Sequence, residues 1–324
     1  MTAQKCVLVT GIGGNVAQGV LRILAEIEPD LRIVGTNTFL ASGGNHLCDT
    51  VHVVPPAVDP TFRSALLSIA ERERPDLLIP CTDAETLALS LLSDVLPRIA
   101  VSPPDVCSTF IDKHLTAQAF SRAGLPFARS ALPSAYGGSF GRVIVKPREG
   151  RGSRGLVFDP PRPWEFDDTH VVQELLEGDE VTIGFYVTRA RSLHGFLVMR
   201  RMLQDGTTIA CEVTRRHDAA VSALLERLVS ALDIRGSCNL QAIVTVDGRI
   251  MPFEVNGRFS GTTSIRHHFG LRDVEYTLDE HLWERDPKPV VLSQGSAHRL
   301  LMDVIYPGLG LDEPKNKRNR HWIF

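Results

Sequence analysis

The chain has 324 residues, a hydrophobic share of 43%, a charged share of 23% and a formal net charge of −3. That length accommodates two or three domains, and the composition is that of a water-soluble globular protein. The small negative charge excludes a strong pull toward nucleic acid or anionic membrane, and no apolar run reaches membrane-spanning length.

The N-terminus, MTAQKCVLVTG, enters a strand directly, with no signal-peptide pattern. Six cysteines (Cys6, Cys48, Cys81, Cys107, Cys211, Cys238) are scattered without a CxxC pair. Several sit in apolar strand-like runs, where cysteine is usually a small core residue. The expectation is a reducing, cytoplasmic location, with neither disulfides nor structural zinc.

Residues 1–105 read as alternating strand and helix. Short apolar strands are expected at 7–9, 31–34, 51–54 and 77–79. Helices are expected at 16–27, where Val16, Val20, Ile23, Leu24 and Ile27 share a stripe, at 60–74, and from an Asp83 N-cap through Leu92. The alternation implies a parallel sheet covered by helices, a Rossmann-like first domain.

Ser102-Pro103-Pro104 punctuates the boundary. A helix then runs from Asp112 to Gly124. Residues 127–175 read as short strands and loops rich in Gly, Pro and Arg, a small mobile piece. The second unit is therefore 106–175, a linker helix and lid. From 176 to 310 strands dominate, at 180–188, 192–203 and 207–213. An amphipathic helix is expected at 218–232, another near 273–284, and a last strand at 297–305. Residues 311–324, with Lys315, Lys317, Arg318 and Arg320, read as a solvated tail.

The segment NLQAIVTVDGRIMPFEVN reads as a hairpin turning at Asp247-Gly248. A two-residue turn places Gln241 opposite Glu254 and Asn239 opposite Asn256, all four on one face. Leu240, Ala242, Val244, Val246, Met251, Phe253 and Val255 share the other, core face. A cluster of carbonyl and carboxylate oxygens suits Mg²⁺, which takes few carboxylates and completes its shell with phosphates. The competing reading is an ordinary hairpin with a polar outer face. A bulge near Pro252 would shift the register.

Three segments could meet a nucleotide. The early loop Gly11-Ile12-Gly13-Gly14-Asn15 follows a strand and opens a helix, but Val16 replaces the third glycine of GxGxxG. Asn37 also stands where a ribose-binding acid is expected. This weakens a nicotinamide dehydrogenase. Lys146 ends a β-branched strand before Gly150, Gly152 and Gly155. Such a loop wraps phosphates or is simply a flexible hairpin tip. VVQELLEGDEVTIGFYV offers an extended edge at Glu174 and Leu176 and an acid at Glu180, a common pattern by itself.

Taken in order, these pieces over residues 5 to 285 resemble the ATP-grasp superfamily, in particular the branch like the large subunit of carbamoyl-phosphate synthase. The resemblance implies a Rossmann-like domain followed by an ATP-grasp fold, with a small lid and a larger antiparallel sheet. It implies that Asp112-Lys113 opens the nucleotide region and that Arg129 reaches the phosphates. Lys146 would end a lid strand. The 150–155 loop, with Gly152 and Ser153, would cover the phosphates. Glu174 and Leu176 would form the adenine hinge, and Glu180 would hold the ribose. Gln241, Glu254 and Asn256 would bind Mg²⁺ or Mn²⁺. Arg258 of Asn256-Gly257-Arg258 would support the transferring phosphoryl group.

The implied activity is an ATP-dependent carboxylate–amine ligase passing through an acyl phosphate, with small-molecule carboxylate and amine substrates and a homodimer as its assembly. Gly257 replaces the usual proline. Gly261 stands where the synthase has a further arginine, which weakens phosphorylation of carbamate or bicarbonate. A non-catalytic nucleotide-binding protein is the other alternative, set against the retained Glu254, Asn256 and Arg258. His267, His268, Thr262, Thr263, Ser264 and Arg266 read as substrate contacts or solvated loop. Asp83 and Glu85 lie at the carboxyl end of a parallel strand, where α/β sheets place ligands. Arg215 and Arg216 face either phosphate or solvent.

Overall fold

The structure is a computed structural model and describes residues 4–96, 98–150, 152 and 154–324. Strands β1 (Cys6–Val9), β2 (Arg32–Asn37), β3 (Thr50–Val53) and β4 (Leu77–Ile79) form a parallel sheet in the order β3-β2-β1-β4. The central strands are almost wholly apolar because helices cover both faces. Helix α1 (Asn15–Ile27) packs with Val7 and Val9. On the other face, α2 (Phe62–Glu73) sets Phe62, Leu66 and Ile69 against Leu8 and Val34.

Helix α3 (Asp83–Ser90) is shorter than the sequence suggests, and its cap is Thr82. The Thr82 hydroxyl accepts from the Glu85 amide at 3.3 Å. Asp83 is therefore the first helical residue, and its carboxylate is free to act elsewhere. Pro104, expected to mark a boundary, opens α4 (Pro104–Ile111), where its missing N–H is no loss. Asp112 ends α4 and caps α5 (Lys113–Arg122), accepting from the amides of His114 at 2.8 Å and Leu115 at 3.2 Å.

The lid is a four-stranded antiparallel sheet of β5 (Ser130–Ala131), β6 (Val143–Pro147), β7 (Val157–Phe158) and β8 (His170–Glu174), in the order β5-β8-β6-β7. The large sheet contains β9 (Asp179–Val187), β10 (Leu193–Gln204), β11 (Thr207–Val213), β12 (Gly236–Val244), β13 (Ile250–Asn256) and β14 (Ser296–His298). Its order is β13-β12-β9-β10-β11-β14, antiparallel throughout. Helix α6 (Asp218–Ala231) buries Val221, Leu225 and Leu228 on one face, with Ile183, Leu240 and Val255. Helices α7 (Thr263–His268) and α8 (Asp273–His281) connect the sheet to the first domain: Val274 and Leu278 enter the core built on α1.

The expected strand over 297–305 divides into β14 and the short β15 (Val304–Ile305), which pairs with β16 (Trp322–Ile323). Between them Leu301 is fully exposed. No helix of the described residues is long and apolar enough to cross a membrane.

The hairpin keeps the expected pairs Gln241 with Glu254 and Asn239 with Asn256 by a route the sequence does not suggest. Its turn is one residue longer than Asp247-Gly248 alone. The Gly248 amide bonds the Thr245 carbonyl at 2.8 Å, and that of Thr245 bonds the Arg249 carbonyl at 3.0 Å. The register then shifts between Gln241 and Ala242, so that Ala242 faces Pro252 and Phe253 is the extra residue of a bulge. The bulge restores the Gln241–Glu254 pair and reverses the alternation on the turn side. Ile250 and Pro252 are buried, Met251 and Phe253 leave the core face, and Val246 is 97% exposed in the turn.

Candidate active site

The lid sheet and the large sheet face each other across a cleft of about 260 Å³. Lys113, Lys146, Gly152, Glu174, Leu176, Glu180, Gln241 and Glu254 all line it. These residues are spread over more than 140 positions of chain, and the topology alone brings them together. Ser153 lies outside the described residues.

Lys146 stands at the end of β6, almost wholly buried, and donates from Nζ to the Phe253 carbonyl at 3.3 Å. Burial pulls its ammonium down to about 8, with Lys113 adding to the effect and Glu254 opposing it. Lys113 is also buried, and its Nζ donates to the carbonyls of Arg148 at 3.4 Å and Gly150 at 3.3 Å. The first lysine of α5 is thereby tied to the lid loop. Asp112 anchors the same loop through its ion pair with Arg148.

Glu254 and Asn256 project from β13 two residues apart, with the Asn256 amide nitrogen 3.4 Å from Glu254 Oε1. The paired Gln241 adds an amide beside Glu254. Asn239, expected as a fourth member, is buried, and its Oδ1 accepts from the Thr182 hydroxyl at 3.0 Å. Among the described residues no three His, Cys, Asp or Glu side chains group into a metal cage. One carboxylate with neighbouring amide oxygens is the sparse donor set suited to a magnesium ion that takes the rest of its shell from phosphate and water.

Arg258 follows Asn256 at the end of the hairpin. Its Nη2 donates to Asn256 Oδ1 at 2.9 Å and to Asp83 Oδ2 at 2.8 Å. Asp83 is thus a partner of the arginine rather than a cap. Cys81 and Glu85 lie on the same edge of the first domain. A Cβ at Gly11, which sits at φ +64°, would stand 2.9 Å from Glu85 Oε2. The early glycine loop therefore faces a carboxylate, which is hostile to the phosphates of a dinucleotide.

Arg129 is placed differently from the expectation. It grips Glu174 with two parallel bonds of 2.9 Å, stacks 4.9 Å from the Phe140 ring centroid, and stays outside the cleft lining. Its guanidinium holds the Glu174 carboxyl below the usual range. The guanidinium is thereby committed to the carboxylate at the end of β8. At the hinge, the Glu174 amide bonds the Arg129 carbonyl at 2.8 Å, and the Leu175 amide bonds that of Arg142 at 2.9 Å. The Leu176 amide has no such partner among the described residues. Glu180 pairs with Arg201 at 2.8 Å on the cleft wall.

The sequence reading missed three contributors. Phe253, turned by the bulge, lines the cleft with its ring centroid 5.4 Å from Lys146 Nζ. Arg201 and Gly206 come from β10 and its turn, which read only as two successive strands and their link. The Pro252 signal for a bulge was visible, but its consequence for Phe253 depends on counting the turn correctly.

The structure places several of the ambiguous residues. His267 and His268 lie in α7, not a loop, and burial lowers the His267 imidazole. Arg266 is fully buried in an ion pair with Asp273 and bonds the Ser237 hydroxyl at 2.7 Å. Arg215 pairs with Asp218 at the start of α6.

Residues 110–262 match the model of the ATP-grasp domain. The chain carries an ATP-grasp domain. Solved structures extend the likeness of fold beyond it. The N5-carboxyaminoimidazole synthetase of Staphylococcus aureus, complexed with ADP, superposes with a TM-score of 0.77 at 12% identity, over 93% of this chain and 83% of that one. The biotin carboxylase domain dimer of Hydrogenobacter thermophilus 2-oxoglutarate carboxylase, solved with MgADP and bicarbonate, gives 0.74 at 12%, over 91% and 74%. The L-amino acid ligase of Bacillus licheniformis gives 0.69 at 14%, over 87% and 75%. A search of curated protein sequences returns no match. The cleft described above lies within the matched ATP-grasp domain.

Proposed function

We propose that this ATP-grasp protein is a ligase that phosphorylates a carboxylate with MgATP and joins the acyl phosphate to an amine, releasing ADP and phosphate. The observation that carries the reading is the cleft itself: buried Lys146 and Lys113 face Glu254 and Gln241, with Arg258 beside Asn256. The structural neighbours include proteins named as a carboxyaminoimidazole synthetase, a biotin carboxylase domain and an amino acid ligase, which supports the same class.

In this reading the free Leu176 amide receives the adenine edge, Phe253 packs under the base and Glu180 takes ribose hydroxyls. Lys113 and Lys146 supply fixed positive charge to the phosphates. Gln241, Glu254 and Asn256 would hold magnesium, which would supply positive charge against the phosphates. A carboxylate oxygen attacks the γ-phosphorus, and the bond to the β-bridging oxygen breaks, leaving ADP. Arg258, a planar fork already aimed past Asn256, holds the transferring group. The amine nitrogen then attacks the acyl carbon, phosphate departs, and the amine proton leaves with it. The covering loop keeps water from the acyl phosphate. Six buried, unpaired cysteines fit a reducing cytoplasm, and the dimeric biotin carboxylase domain supports a homodimer.

Calorimetric titration of MgATP into wild type and Glu254→Gln tests the reading. Magnesium-dependent binding that weakens at least about tenfold in the variant is expected, since a charge-assisted contact is lost. Phosphate release from carboxylate and amine pairs then identifies the substrates. MgATP binding with no phosphate release for any pair favours the non-catalytic alternative, and absence of binding by the wild type removes the ligase reading.

A further inference from the structure

Arg22 and Arg299, outside the ATP cleft, have no carboxylate partner among the described residues. Arg299 follows β14 and is held in place by carbonyls: its Nε donates to Thr208 at 2.9 Å and its Nη2 to Gly261. Its Nη1 has no hydrogen-bond partner among the described residues, and no carboxylate pairs with it. Arg22, on α1, has neither an ion pair nor a hydrogen bond among the described residues. The two are close enough that Arg22 depresses Arg299, although burial is the larger cause.

The elements converge by design of the fold. Asn15, Gly19 and Arg22 stand at i, i+4 and i+7 on α1, a single helical stripe. A Cβ at Gly261 would lie 3.4 Å from the Asn15 amide nitrogen, and one at Gly19 would lie 3.4 Å from Ser264 Oγ. The stripe therefore rests on the turn whose carbonyl Arg299 grips. His46 lies near enough to Arg22 to feel its charge, although burial is the larger cause of its lowered pKa. The His46 and His321 rings are 5.6 Å apart, and Tyr306, 5.7 Å from His321, has a buried hydroxyl with no partner. Gly261 is three residues beyond Arg258, so their Cα atoms are at most about 11 Å apart.

We propose that Arg22 and Arg299 form an oxyanion subsite that takes the remote carboxylate or phosphate of a substrate whose reacting end lies at Arg258. Two neighbouring like charges, one of them partly buried, repel each other, and an anion between them relieves that repulsion. The forked donors of arginine suit a planar carboxylate or a phosphate equally. The substrate class is therefore a small metabolite with a second anionic group one molecule's length from the reacting centre. This assignment of the occupant rests on the ligase reading; the existence of the subsite does not.

The test is calorimetry with inorganic phosphate and, separately, succinate, after filling the cleft with a non-hydrolysable MgATP analogue. Wild type, Arg22→Gln and Arg299→Gln are compared. One of the two anions is expected to bind wild type, and its affinity to fall at least about tenfold in each variant, with analogue affinity unchanged. Which anion binds distinguishes a carboxylate from a phosphate subsite. Arg22 secures no other part of the fold, so Arg22→Gln carries the test if Arg299→Gln disturbs analogue binding. Equal anion affinity in Arg22→Gln and wild type, or no binding of either anion by wild type, overturns the subsite. Arginine-dependent anion binding by a wild type that does not bind the analogue leaves the subsite standing and removes the ligase reading.

Discussion

Lys146 has the environment of a phosphate ligand held in waiting: burial pulls its ammonium to about 8, while Glu254 opposes the loss of the proton. Its charge is disfavoured in the free fold, so it destabilises the protein fully below about pH 8, and that penalty fades as pH rises toward the unfolded value of 10.5. A bound phosphate reverses the preference. MgATP binding should then be level below pH 8 and weaken above it by up to about tenfold per unit, with one proton taken up. Calorimetry in buffers of different ionisation heat reads that proton directly. Lys146→Met should bind weakly and show no such slope; an unchanged slope in the variant assigns it to another group. Arg258 makes a separate prediction. Its fork joins Asn256 to Asp83, away from the hinge and lid. Arg258→Ala should leave MgATP affinity nearly intact and lower turnover by about 10²- to 10³-fold, the usual loss for a group that meets charge only in the transition state. Equal losses in binding and turnover would remove its assigned role. Residue identities such as Glu254, Gln241 and Lys146 were legible because each ends or punctuates a strand pattern. The Asp83–Arg258 link was not, because it joins positions 175 residues apart and no local pattern encodes it.

At the scale of elements, the lid loop and the β10–β11 turn meet through glycine. A Cβ on Gly206, which has φ +73°, would fall 2.4 Å from the Gly152 carbonyl oxygen. The close approach is possible only because position 206 has no side chain. Gly206→Val should hold the loop off this stop, raising the KM for ATP by about tenfold or more and increasing acceptor-independent ATP hydrolysis, since water then reaches the acyl phosphate. Steady-state phosphate release with and without acceptor measures both, and wild-type values for both would show that the turn is a bystander. The three glycines at 150, 152 and 155 announced the loop in the sequence. Their landing place did not announce itself, because Asp205-Gly206 reads as any tight turn. The β12–β13 hairpin shows the same division. Its cross-strand pairs were legible from alternation, but the longer turn and the bulge at Phe253 offset each other, and only the fold reveals that the ring has moved to the cleft.

Across the whole molecule, the site is shared between halves that the sequence presents as separate. The parallel sheet was legible from short apolar strands spaced by helices, and the antiparallel sheet from its long alternating runs. How they lock together was not, because that depends on single side chains after the hairpin. Phe259 is 2% exposed and lies in the core built on α1, beside Ile12, Val274 and Leu278. Its neighbour Arg258 reaches the same domain through Asp83. The main chain that carries Arg258 is thus pinned by an apolar plug on one side and an ion pair on the other. Phe259→Ala should cost on the order of 3–5 kcal/mol, the range for emptying a buried aromatic site, read by urea unfolding. Phe259→Leu, which keeps most of the volume, should recover the greater part. Turnover should follow stability in this pair while MgATP affinity stays level, because the cleft lies between the lid and the large sheet and Phe259 does not line it. A loss below about 1 kcal/mol in Phe259→Ala, a value ordinary for surface positions, would mean that the first domain and the ATP-grasp domain are held together elsewhere.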